Sequence, residues 1–298
     1  MNQASLRRAG IVLFWLVCVS SAFAGSGPAK EDARHLMAST SPNELVQRVV
    51  ENELHAQDEG DYMYRDWRQT PAGSKTKEMI ETRDGVVARL IAINDKPLTP
   101  EQRAVEEARL RELLARPELQ KERQKVQQQD AERVKRMFRE LPKAFTYQYQ
   151  GVEQGTWGEL IKLSFVPKPN YDAPSRETSV FKAMAGTMWV GVPDLRLARI
   201  EATLFRDVNF GWGILGHLDK GGHFFVEQSK IGPERWEATY MNIQFTGKAL
   251  LFKTINLRQI ERLSDFRPVP RGLTLAQGID ILMKQKIQIA ETASLPSQ

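Results

Sequence analysis

The chain predicts an α+β fold: a large, twisted antiparallel sheet with a charged helical insert. Three observations carry that prediction. About ten alternating or β-prone segments follow one another through turns too short for parallel crossovers. Helix-start signatures fall near the N-terminus and again ahead of a highly charged stretch at about 99–141. The 298 residues, 41% hydrophobic and 27% charged, have the composition of a folded, water-soluble chain able to bury a real core. That balance argues against a disordered, collagenous or polytopic membrane protein. A net charge of +5 without a clustered basic face gives no support to nucleic-acid binding.

The first two dozen residues read as an export signal. Arg7 and Arg8 precede an apolar run at 11–19, and Ala22-Phe23-Ala24 is an A-x-A cleavage site. The run is too short for a retained membrane-spanning helix. Cleavage after Ala24 removes both arginines, lowers the net charge to about +3 and discards Cys18, the sole cysteine. A lipidated Cys18 is the alternative, although Trp15, Leu16 and Val17 are bulky where such a site wants small residues. The expected product is a cysteine-free periplasmic protein, without disulfides, cysteine zinc sites or thiol catalysis.

After a loose stretch at 25–40, Ser41-Pro42-Asn43-Glu44 opens a helix whose apolar stripe is Leu45, Val46, Val49, Val50 and Leu54. From Asp61 the period changes to two. Strands are expected around Tyr62 to Trp67, at 77–83 and at 86–94, with Asp84-Gly85 as a tight turn. Thr99-Pro100-Glu101-Gln102 is a second capping box, starting a helix at about 100–115. Pro117 opens another to about Glu140. This second helix has sparse apolar positions and many Lys, Arg and Gln. It reads as a solvated helix docked by its ends, or as a polyanion-binding surface. Phe145, Tyr147 and Tyr149 then alternate with polar residues, and strands follow near 159–166, 181–191, 195–205, 223–229, 236–245 and 248–263. A short helix at 273–284 closes the chain. The expected organisation is a signal at 1–24, a flexible 25–40 and a single domain at 41–298 carrying the insert.

Catalytic signatures are absent from the sequence: there is no G-x-S-x-G, phosphate-binding glycine loop, H-E-x-x-H or EF-hand pattern. His217, Asp219 and His223 lie in a glycine-rich turn where hairpin pairing would bring the two rings together. A surface turn and a metal site are the two readings, and no third protein ligand stands at useful spacing. Glu106 and Glu107, among Arg103, Arg109 and Arg111, read as helix-surface charge patterning. The expectation is a non-enzyme with no cofactor.

Residues 209–216, NFGWGILG, place Phe210, Trp212 and Ile214 on one face if extended, with bare glycine backbone between. They either plug a core corner or gate a ligand. The stretch 181–201, FKAMAGTMWVGVPDLRLARIE, resembles exported lipid- and lipoprotein-binding proteins of the LolA-like family. The resemblance rests on Gly186, Met188, Trp189 and Val190, followed by Arg199 and Glu201. Residues 247–252 and 264–268 resemble an uncharacterised exported bacterial branch with that fold.

The resemblance implies an incomplete half-barrel covered by helices, whose apolar cavity takes a lipid or lipoprotein acyl chain without catalysis. Candidate wall residues are Tyr147, Tyr149, Met188, Trp189, Phe210, Trp212, Ile214, Trp236 and Tyr240. The alternative is an envelope sensor or scaffold that binds a partner protein, with 117–140 as its docking surface.

Overall fold

The computed structural model describes residues 32–55, 60–210, 216–233, 235–249 and 253–285. The segment 1–24 read as an export signal, with its expected cleavage after Ala24, and Trp212 and Ile214, lie outside the described residues. Six α-helices and thirteen strands are described. They run α1 (Ala33–Ser39), α2 (Pro42–His55), β1 (Asp61–Thr70), β2 (Gly73–Ile80), β3 (Val87–Ile93), β4 (Lys96–Pro97), α3 (Pro100–Ala115) and α4 (Pro117–Ala144). Then follow β5 (Phe145–Gly155), β6 (Gly158–Pro167), α5 (Arg176–Ser179), β7 (Met184–Gly191), β8 (Arg196–Leu204), β9 (Val208–Phe210) and β10 (Gly216–Leu218). The chain closes with β11 (His223–Lys230), β12 (Trp236–Ala249), β13 (Lys253–Val269) and α6 (Leu275–Lys284). The class is the α+β one expected, with a large antiparallel sheet that is not closed.

Two compact units divide the described residues: those within 1–59 and 127–261, and those within 60–126 and 262–298. The larger has the strand order β13-β12-β11-β8-β7-β6-β5, with the short β9–β10 hairpin attached to β12. Its helices α1 and α2 lie over β5, β6 and β8. Both helices are explained locally. Asp32 accepts the amide of Arg34 at the start of α1, and Ser41 Oγ accepts that of Glu44 in α2. The lead-in expected to be loose therefore contains α1, because Ala33 and Leu36 supply buried apolar surface that pins it to the core. Leu45, Val46, Val49 and Val50 of α2 are buried in the same core, as their spacing predicts.

The smaller unit has the order β4-β3-β2-β1-β13. Helices α3 and α6 pack on it through Leu110, Leu113, Leu275, Ile279 and Leu282, against Met63, Ile80 and Val87. Thr99 and Thr274 close capping boxes at the starts of α3 and α6. Gly278 is required because a β-carbon there would press into the Thr82 methyl. Arg89 is buried and donates to the Leu282 carbonyl at the end of α6, satisfying one of that helix's orphan acceptors.

The long helix α4 differs from a helix docked only by its ends. A half-buried stripe runs along it, with Ala131 and Val134 fully buried. At its N-terminal part Arg123 donates to the carbonyls of Val86 and Asp84, at 2.5 and 2.8 Å. These charge-assisted bonds hold a polar helix where apolar contacts are few. Met137, Phe138 and Leu141 carry its last turns into the core of the larger unit.

Candidate functional site

Register across the larger sheet sorts its side chains into two faces. Tyr147, Phe165, Gly186, Ala202, Phe224 and Ile243 pair in succession across β5, β6, β7, β8, β11 and β12. The neighbouring row is Tyr149, Leu163, Met188, Ile200, Val226 and Met241. Directly opposed residues share a face, so these two rows make one continuous apolar surface. Gly186 lies where a β-carbon would overlap the Glu201 carbonyl on β8, which explains glycine at this crossing.

The helices cover only part of this face. Under α1, α2 and the end of α4, Tyr147 and Met188 are fully buried, and the Tyr147 hydroxyl donates to the Leu141 carbonyl at 3.0 Å. Burial pushes that hydroxyl's pKa far up. The Tyr149 hydroxyl donates to the Thr40 carbonyl at 2.8 Å. Tyr147 and Met188 therefore fill the core, Tyr149 is partly buried against it, and the two tyrosine hydroxyls tie the sheet to α4 and to the end of α1. Toward β9–β12 the apolar character continues through Phe210, Leu218, Phe224, Ile243 and Phe245, which touch the core yet stay only partly buried. Gly222 admits the Phe245 ring against Leu204, since a β-carbon there would clash with it.

Trp189 and Tyr240 require correction as wall residues. Lys162, Trp189, Arg199, Glu227 and Tyr240 pair across the opposite face. There Lys162 and Arg199 stand 5.3 and 5.2 Å from the Trp189 ring centroid, and its indole donates to Glu153 at 2.9 Å. The Lys162 bond and then the Trp189 bond hold the Glu153 carboxyl below its ordinary value. Met188 and Trp189 are adjacent on β7 and so face opposite sides, and the bulge at Glu227/Gln228, where the pairing passes over Thr239, puts Tyr240 on the other face from Ala238 and Trp236, which is why bulk alone misassigns these side chains.

Trp236 is buried at the far end of β12 and donates its indole N–H to Asp194 at 3.0 Å, a structural anchor. Of the expected residues, Phe210 alone is described in the partly open stretch. Phe224, Ile243 and Phe245 were missed there. Their alternation in H-F-F-V and M-N-I-Q-F was legible, but the reach of the helices was not.

One polar group interrupts the apolar face. Gln228 pairs with Ala238 of the core, is 9% exposed, and its buried Oε1 accepts no hydrogen bond. The two histidines do not meet: His217 pairs with Asn209 and Lys248, His223 with Thr203 and Gln244. Each ring instead faces one carboxylate, Asp219 at 3.2 Å and Glu201 at 3.3 Å. Among the described residues no group of three or more His, Cys, Asp and Glu is placed to hold a metal. No described helix is long and apolar enough to cross a membrane.

No protein-family model matches the chain, and no curated protein matches it. Among solved structures, similarity is found to a domain from Vibrio parahaemolyticus provisionally described as an outer membrane lipoprotein-sorting protein. It is 11% identical, over 82% of this chain and 98% of that one, with a TM-score of 0.32. This is a weak likeness at the level of fold, and no residue correspondence follows from it.

Proposed function

We propose that the protein is an exported, non-catalytic binder of a lipid or lipoprotein acyl chain, held on the apolar face of the larger sheet where β9–β12 extend beyond α1 and α2. The observation that supports this reading is the row Phe210, Leu218, Phe224, Ile243 and Phe245, continuous with the core but partly open. Completing the burial of such a row removes apolar surface from water, at about 25 cal/mol per Å². An acyl chain needs no specific polar contact to gain from it. The sequence resemblance to lipid- and lipoprotein-binding proteins points the same way, and the signal at 1–24 would deliver the protein to the periplasm.

Native mass spectrometry of protein purified from its own envelope tests this reading. The expected spectrum shows a chain beginning at Gly25 and carrying lipid mass that organic extraction removes. Repeated lipid-free preparations that also fail to take up added fatty acid would refute it.

A further inference from the structure

We propose that Gly222 determines which acyl chains the site takes: it seats the Phe245 ring clear of a path along β12 and so admits a long unbranched chain. The proposal rests on the acyl-chain reading above and deepens it by naming the shape of the ligand. Ile243, Phe245, Gly247 and Ala249 follow one another on one face of β12. Ile243 stands beside Phe224 of β11, Gly247 beside Leu218 of β10, and Ala249 beside Gly216, whose partner on β9 is Phe210. The partly open residues therefore border one stripe along β12, six residues long from 243 to 249, or about 20 Å. Phe245 is the one bulky side chain of β12 inside that stripe, so the position of its ring decides whether the stripe is continuous.

The Leu204 amide donates to the Gly222 carbonyl at 2.8 Å, which sets these two backbones side by side. A β-carbon on Gly222 would overlap Cδ1 of the Phe245 ring and stand 3.1 Å from Cδ1 of Leu204. The ring thus fills the space that a side chain at 222 would take, and lies sideways over β11 toward Leu204. Gly222 is not in the left-handed region, so its backbone accepts alanine and only the ring conflicts. Leu204 is fully buried, whereas Phe245 is only partly buried. A ring displaced from Gly222 cannot press into the packed side and must move to the open one, across the path of the chain.

The test measures displacement of an apolar fluorescent probe from the full chain by decanoate and by palmitate, with far-UV circular dichroism as the fold control. The wild type is expected to bind palmitate more tightly by on the order of a hundredfold, because each added methylene is buried along the stripe. Gly222→Ala should weaken palmitate by about tenfold or more and decanoate by less than about threefold, since only the longer chain must cross Phe245. Removing the displaced ring in the double variant Gly222→Ala/Phe245→Ala should restore the preference for palmitate, which a general loss of packing would not allow. Phe245→Trp, whose indole is too large for the slot beside Leu204, serves if the alanine variant does not fold, and the same selective loss is expected. Unchanged palmitate affinity in the folded variant, an equal loss for both chains, or no recovery in the double variant overturns the proposal and leaves the acyl-chain reading intact. Failure of the probe and both fatty acids to bind saturably to the wild type overturns both.

Discussion

Asp66 sits on β1 with 3% exposure, and its Oδ1 is buried without a hydrogen-bond partner. Arg68 reaches Oδ2 at only 3.4 Å, and Lys77 stands opposite on β2. Burial raises the carboxyl's pKa, and the Arg68 and Lys77 charges offset this only in part. A carboxyl whose pKa is higher in the folded state binds its proton more tightly there. Its contribution therefore favours folding at acid pH and is lost as pH rises through the folded pKa. Asp66→Asn, which cannot ionise, is expected to raise Tm at pH 7 by more than at pH 4. Thermal unfolding across that range checks it, and a pH-independent difference would count against the assignment. Residues of this kind were invisible in the sequence, where Asp66 reads as one polar position in an alternating strand. Capping residues were legible, since Ser41 and Thr99 act over three or four positions and need no tertiary context.

At the scale of elements, the end of α2 is fastened to the β7–β8 hairpin by Glu53. Its carboxylate takes Arg196 in a two-pronged pair at 2.9 and 3.0 Å, and also accepts the Leu197 amide at 2.8 Å. Both side chains are nearly buried, so removing one partner strands the other charge. Glu53→Ala is expected to cost about 3–5 kcal/mol in urea unfolding. A loss under about 1 kcal/mol would show the pair to be peripheral. Helices α2, α3, α4 and α6 were legible through caps, prolines and apolar stripes. The starts and ends of strands were less so. Residues 181–183, read as strand, form a 3-10 turn before β7, and β12 runs through Gly247 where a break was expected. Gly247 marks a close approach instead, because a β-carbon there would overlap the His217 carbonyl on β10.

At the scale of the molecule, periodicity showed that a large antiparallel sheet exists, but not which stretch of its apolar face stays open. Coverage depends on where helices land, and α1 and α2 land over β5, β6 and β8. That placement turns Tyr147 and Met188 into core, leaves Tyr149 partly buried against it, and directs the candidate site to β9–β12. The account is tested most directly by saturable binding of an apolar fluorescent probe to the wild type and to Phe224→Asp, with circular dichroism confirming the fold. A charge at Phe224 stands in the partly open row without entering the helix-covered core. The predicted result is saturable binding by the wild type and a loss of tenfold or more in affinity for the variant, about 1.4 kcal/mol. Unchanged probe affinity in a folded Phe224→Asp protein would contradict the account.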